Sequence, residues 1–134
     1  MQFAIYAVGI FVVAALGGLF MANKIMNGNL APWLVSFVHL GLGVAGLALT
    51  FLAVMAGVGG TMGFMALGVL AAAAVGGLVL LLPFHLRKKL APNWMIIVHA
   101  AIGGLGVLLL LLVAFVLNVD PNLMDPNAVP PHLR

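Results

Sequence analysis

Four long runs of uncharged, apolar residues constrain the fold of this 134-residue chain more than any other feature. A helix needs about 20 consecutive apolar residues to cross the hydrocarbon core of a bilayer. The four runs that meet this length cover residues 3–22, 33–58, 62–83 and 94–117. The chain is 66% hydrophobic and 5% charged, whereas soluble domains are about 25% charged. We therefore predict an integral membrane protein and exclude a soluble enzyme or a disordered chain.

The breaks between the runs are short, which predicts an up-and-down bundle. Asparagine and glycine break the chain at residues 27–29, glycines at 57–60, and three cations at 87–89. Connections of this length place consecutive helices antiparallel. The expected fold is all-α, an integral membrane four-helix domain over residues 1–117. A proline-rich tail follows at residues 118–134.

The distribution of basic residues predicts the orientation in the membrane. Four of the five cations, Lys24, Arg87, Lys88 and Lys89, lie in or beside the loops after the first and third runs. The positive-inside rule makes both loops cytoplasmic and both termini non-cytoplasmic, and we expect a bacterial inner membrane. The cations form no extended face, which excludes a nucleic-acid partner. Cysteine is absent, so thiolate metal sites are excluded.

The second half of the chain repeats the first half. Residues 14–19 recur as 73–78 at an offset of 59, whereas 30–32 recur as 90–92 and 38–39 as 98–99 at an offset of 60. One residue inserted in the connecting loop would explain the change of offset. Each copy contains two spans, so the copies are parallel and related by a two-fold axis along the membrane normal.

This repeat gives His39 and His99 equivalent positions, at one depth on the diagonal second and fourth helices. Neighbouring helix axes lie about 8–10 Å apart, so the diagonal of a square bundle is roughly 11–14 Å. That distance is too wide for a compact tetrahedral site made of side chains alone. It suits a metal ion at the centre of a planar macrocycle, with His39 and His99 as the two metal ligands.

Glycines reduce the side-chain volume of all four helices near the depth of His39 and His99. Six glycines are candidate cofactor contacts: Gly17, Gly43, Gly46, Gly76, Gly103 and Gly106. Two of them follow each histidine at the fourth and seventh positions, and so share its helix face. We predict that they line a slot for a flat ring, whose propionates pair with Arg87 and Lys88. The alternative is that they only let the helices pack closely.

This pattern resembles the small four-helix membrane b-type cytochromes, in the broad sense of the cytochrome b561-like bundles. The resemblance implies one haem b, whose iron is ligated by His39 and His99. Members commonly carry two histidine pairs, whereas this chain has one buried pair. Because both axial positions are filled, the iron is left with one-electron transfer. With haem bound and no soluble domain of its own, the chain is expected to be a non-catalytic electron-transfer subunit of a larger redox or photosynthetic complex, with other membrane subunits and a quinone as partners.

Two alternatives stay open. A cofactor-free structural or assembly subunit would have a bundle closed by its glycines, and a chlorin-binding protein would turn His39 and His99 towards lipid. Transport is disfavoured because no span contains Asp, Glu, Lys or Arg. Hydrolysis is disfavoured because no acid is available to orient either histidine. We expect His85 at the membrane interface and His132 solvated in the tail.

Overall fold

The computed structural model describes residues 2–116, and its regular structure over that range is entirely helical. The helices are α1 (Gln2–Met26), α2 (Trp33–Met55), α3 (Gly60–Leu80) and α4 (Asn93–Phe115), and a π-helical turn (Leu81–His85) extends α3. All four are long and apolar enough to cross a membrane. The proline-rich tail lies outside the described residues.

The four helices form a square bundle of two antiparallel hairpins. The α1–α2 hairpin packs on the α3–α4 hairpin through contacts of α1 with α4 and of α2 with α3. Helices α2 and α4 are therefore diagonal, as the repeat predicts. α2 ends at Met55, earlier than its apolar run, because the chain turns through Gly57 and Gly59, which both have positive φ. α1 continues past its apolar run to Met26 and includes Lys24 in its last turn.

The two hairpins bury the same faces at eight pairs of equivalent helical positions; Val8 and Ile96 are also buried, but their equivalents Leu67 and Ser36 are half-buried. Helix α1 buries Ala4, Ala7, Phe11 and Ala14, and α3 buries the residues 59 positions later, Gly63, Ala66, Leu70 and Ala73. Helix α2 buries Gly46, Thr50, Ala53 and Val54, and α4 buries the residues 60 positions later, Gly106, Leu110, Val113 and Ala114. The repeat seen in the sequence is thus a structural repeat with a common core.

Both hairpin loops end the preceding helix with the same two backbone hydrogen bonds. In the first loop, the amides of Gly28 and Asn29 donate to the carbonyls of Ile25 and Lys24; in the second, those of Lys88 and Lys89 donate to His85 and Phe84. This pairing is the Schellman arrangement that satisfies carbonyls at a helix end. Each donor and each acceptor in the second loop lies 60 positions after its equivalent in the first loop. The inserted residue therefore precedes Phe84.

The insertion lies in the π turn at the end of α3, and not in the connecting loop as the sequence suggested. Pro83 has no backbone N–H, so the regular helical hydrogen bond is lost at that position. The amide of Leu86 donates to the carbonyl of Leu81, five residues back, at 2.9 Å. A π turn accommodates one extra residue without unwinding the helix.

The α2–α3 turn gives a test of this packing. Gly57 (φ +85°) and Gly59 (φ +77°) are both left-handed, so alanine at either position costs about 1–2 kcal/mol in backbone strain. Only at Gly59 would the new Cβ also collide, 2.5 Å from Val113 Cγ1, since Gly57 has nothing within 4 Å. We expect Gly59→Ala to lower the Tm in detergent by several degrees more than Gly57→Ala, measured by circular dichroism. Equal losses would contradict the close approach of the turn to α4.

Candidate cofactor site: a histidine pair between the hairpins

The structure brings the rings of His39 and His99 together across the centre of the bundle. Each is the seventh residue of its helix, so both lie about 9 Å from the loop end at 1.5 Å per residue. Both side chains are half-buried. Their ring centroids are 6.3 Å apart and the ring planes are inclined by 71°. Rings that face each other in this way argue against the chlorin alternative, which needs both to point towards lipid.

Each imidazole is held by a backbone carbonyl of the other helix in its own hairpin. His39 Nδ1 donates to the carbonyl of Ala14 at 2.8 Å, and His99 Nδ1 donates to that of Ala73 at 3.1 Å. A carbonyl oxygen only accepts hydrogen bonds, so Nδ1 must carry the proton and Nε2 keeps its lone pair. Within residues 2–116, neither Nε2 atom has a hydrogen-bond partner. Metal-binding histidines are commonly held in this way by the nitrogen that does not bind the metal.

The separation of the two rings leaves room for one metal ion that both histidines would hold. With metal–nitrogen bonds of about 2.0–2.1 Å, the centroids of two such rings are about 6.4 Å apart. The observed separation is 6.3 Å. Within residues 2–116, no group of three or more His, Cys, Asp or Glu side chains is placed to share a metal ion. A metal ion held by these two histidines would therefore need its remaining ligands from a group such as a macrocycle, and two neutral imidazoles are a donor set that fits such a group.

Glycines in α1 and α3 make room for the imidazoles themselves. A Cβ at Gly18 would lie 3.1 Å from His39 Cε1, and a Cβ at Gly77 would lie 3.3 Å from His99 Cε1. Gly76 lies beside the ring of His99, because a Cβ at Gly76 would lie 3.4 Å from His99 Nδ1. A Cβ at Gly17 would instead have a methyl group of Val35 as its nearest atom, at 3.8 Å. The sequence indicated Gly17 and Gly76, but not that the glycines that follow them, Gly18 and Gly77, contact the rings.

The four candidate glycines of α2 and α4 divide into two levels. At the deeper level, side chains of the neighbouring helices fill the space: Phe11 packs on Gly46 and Leu70 packs on Gly106, each 2.8 Å from the ideal Cβ. At the level nearer the histidines, Gly43 has nothing within 4 Å and Gly103 has only the Ala73 methyl at 3.8 Å. Gly46 and Gly106 thus serve helix packing, and Phe11 and Leu70 close the bundle about 10 Å beyond the histidines.

His85 lies at the loop end of the bundle, but it is buried, with 9% of its surface exposed. Its Nε2 is 3.3 Å from Ser36 Oγ, and its ring centroid is 4.1 Å from that of Trp33. The equivalent residue of the first hairpin is Ile25, so this polar contact occurs in one copy only. Arg87 and Lys88 are exposed on the adjoining loop, and their pairing with propionates stays a prediction.

Fold and site together define an integral membrane four-helix bundle in which two parallel hairpins each contribute one carbonyl-anchored histidine. No protein-family model, curated protein or solved structure matches this chain.

The anchoring hydrogen bonds predict the tautomers of the two histidines. In metal-free protein at alkaline pH, His39 and His99 should both be protonated at Nδ1 and unprotonated at Nε2, because the Nδ1 atom of each ring faces a backbone carbonyl. The ¹⁵N chemical shifts of selectively labelled histidine distinguish the two nitrogens. His85 is the internal comparison, since its hydroxyl partner can donate or accept and so fixes neither tautomer. An Nε2-protonated form at His39 or His99 would contradict the anchoring.

Proposed function

We propose that this chain is a membrane-embedded electron-transfer subunit that binds one haem b through His39 and His99. The observation that carries the proposal is the symmetric pair of imidazoles, anchored through Nδ1, unpartnered at Nε2 and 6.3 Å apart. When bound, the haem supplies one-electron chemistry by cycling its iron between Fe(III) and Fe(II). His39 and His99 would hold the haem iron through their Nε2 atoms.

The residues around the pair have separate tasks in this proposal. The carbonyls of Ala14 and Ala73 fix the orientation of the rings and raise the basicity of Nε2. Gly18 and Gly77 let the rings lie against α1 and α3. Phe11 and Leu70 close the bundle on the far side and keep the site apolar, which favours a small change of solvation during electron transfer.

We place the subunit in a larger redox or photosynthetic complex of a bacterial inner membrane, with other membrane subunits and a quinone as its partners. The positions of Lys24 and residues 87–89 support an orientation with both termini on the non-cytoplasmic side.

A cofactor-free structural subunit is the second candidate, and the glycine packing favours it. The ring of Phe11 and the side chain of Leu70 already occupy the surfaces of Gly46 and Gly106, and the imidazoles occupy those of Gly18 and Gly77. The Nδ1 hydrogen bonds are satisfied without any cofactor. In this case His39 and His99 would stabilise the two hairpins, and the purified protein would be colourless even when haem is supplied during expression.

Replacing either histidine of the pair should abolish haem binding. We expect the wild-type protein, purified in detergent, to show sharp b-type bands in its dithionite-reduced minus oxidised spectrum. His39→Ala and His99→Ala should each lose the low-spin haem signal, because each removes one axial ligand. His85→Ala and His132→Ala are the controls and should retain it. Normal haem binding in both the His39→Ala and the His99→Ala variant would refute the assignment.

The two glycine levels should respond differently to a bulky side chain. Gly43 faces open space near the histidines, so Gly43→Leu should lower haem occupancy while the protein still inserts and keeps its Tm. Gly46 faces the ring of Phe11 at 2.8 Å, so Gly46→Leu should lower the Tm by overpacking, at a typical cost of about 1–3 kcal/mol. Gly41→Leu is the control, because Gly41 is exposed and has nothing within 4 Å. Haem occupancy that is unchanged in Gly43→Leu would place the ring elsewhere.

A further inference from the structure

A shallow apolar groove follows the surface between α3 and α4. It has a volume of about 140 Å³ and is open on one side. Near the loop it is lined by Leu80 and Trp94, and at its far end by Ala72 and Ile102. The eight steps along the helix from Trp94 to Ile102 give it a length of about 12 Å at 1.5 Å per residue. An apolar groove that opens from the outer surface of a membrane bundle is accessible to acyl chains.

Three consecutive cations lie at the loop end of this groove. Arg87, Lys88 and Lys89 are all exposed, and they belong to the loop that joins the end of α3 to the start of α4. The turn has a defined shape, because the amides of Lys88 and Lys89 donate to the carbonyls of His85 and Phe84. No acidic residue occurs in residues 2–116, so no carboxylate of the described structure neutralises these charges.

The first hairpin lacks this combination, although it has the same fold. Asn27, Gly28 and Asn29 occupy the positions equivalent to the three cations. Its nearest cation, Lys24, lies over the ring of Phe20 with its Nζ 5.7 Å from the ring centroid. The repeat therefore contains a natural comparison, in which one hairpin joins an apolar groove to a triple positive charge and the other does not have that charge.

We propose that the α3–α4 hairpin binds one anionic phospholipid, with an acyl chain in the groove and the phosphate on the loop of residues 87–89. A guanidinium group binds phosphate oxygens in a bidentate manner, and the two ammonium groups add charge. Basic residues at the membrane interface select anionic over zwitterionic headgroups. Trp94, at the mouth of the groove, lies where tryptophan is enriched in membrane proteins. Gly76 and His99, which the haem proposal also uses, line the same groove, but the contacts of the loop cations with a phosphate do not require haem.

Native mass spectrometry of the full chain tests the proposal. The purified protein is titrated in neutral detergent with phosphatidylglycerol or with phosphatidylcholine of the same acyl chains. We expect one phosphatidylglycerol to be retained in preference to phosphatidylcholine. Neutralising the loop by combining Arg87→Gln, Lys88→Gln and Lys89→Gln should weaken phosphatidylglycerol binding by roughly tenfold or more. Equal retention of the two lipids by the wild-type protein would overturn the proposal.

Matched single variants separate a site from a general effect of charge or apolarity. Arg87→Gln should weaken phosphatidylglycerol binding more than Lys24→Gln, which removes the same charge from the first hairpin. Ala72→Phe fills the groove and should weaken binding, whereas Ala74→Phe, at an exposed α3 position outside the groove, should not. Equal effects within either pair would overturn the site.

Two further readouts on the same samples assign the role of the loop. Soluble glycerol phosphate should not displace the lipid, because it lacks the acyl chain. Displacement would show that the loop binds phosphate without the groove, and would overturn the proposed lipid site. The haem content of the triple variant is measured on the same samples, because Arg87 and Lys88 are also the predicted partners of the haem propionates. A triple variant that loses haem and keeps the lipid would overturn the proposal and support propionate pairing instead.

Discussion

The hydrogen bond from each imidazole to a backbone carbonyl is the interaction on which the centre of this bundle depends. A helical carbonyl already accepts from the amide four residues later, but its second lone pair is free. In both hairpins the residue four positions after the acceptor is glycine: Gly18 follows Ala14, and Gly77 follows Ala73. Side chains in a helix lean towards its N-terminus, over the preceding turn. A larger residue at either glycine would therefore shield the carbonyl and displace the ring.

This one contact joins several features that are separate in the sequence. The small residues of α1 and α3 let α2 and α4 direct their histidines inward, and the Nδ1 hydrogen bonds set which nitrogen remains available. Because the two hydrogen bonds are equivalent in the repeat, His39 and His99 meet at one level with similar surroundings. The cost of burying two polar rings in an apolar bundle is reduced by the same hydrogen bonds that orient them.

Much of the fold could be predicted from the sequence because its signals are periodic or scarce. The four spans follow from the apolar runs, and the diagonal placement of α2 and α4 follows from the repeat. His39 and His99 could be paired because histidine is rare in this chain. The carbonyls of Ala14 and Ala73 could not be predicted as their partners, since every residue has a carbonyl and its accessibility depends on the neighbouring helix. The recurrence of the glycine pairs was the only sequence signal for them.

Other features depended on information that the sequence pattern does not contain. A missing side chain leaves space, but the pattern does not tell whether a cofactor or a neighbour fills it; at Gly46 the neighbour is Phe11. The change of offset indicated one inserted residue, yet its location in a helical π turn depends on hydrogen bonding around Pro83. The burial of His85 against Ser36 is likewise a tertiary contact, formed between residues 49 positions apart in the chain.

The symmetry of the hairpins has a consequence for how such a chain can change. Each hairpin contains a complete half-site: one histidine, its carbonyl acceptor and the glycine that exposes that acceptor. Two identical hairpins related by a two-fold axis would form the same pair, so the bundle is geometrically a homodimer whose subunits are joined by the turn at residues 56–59. In a homodimer every substitution appears twice. Covalent joining removes that restriction, and the π turn, the buried His85 and the basic loop are all differences that only a joined chain can confine to one half.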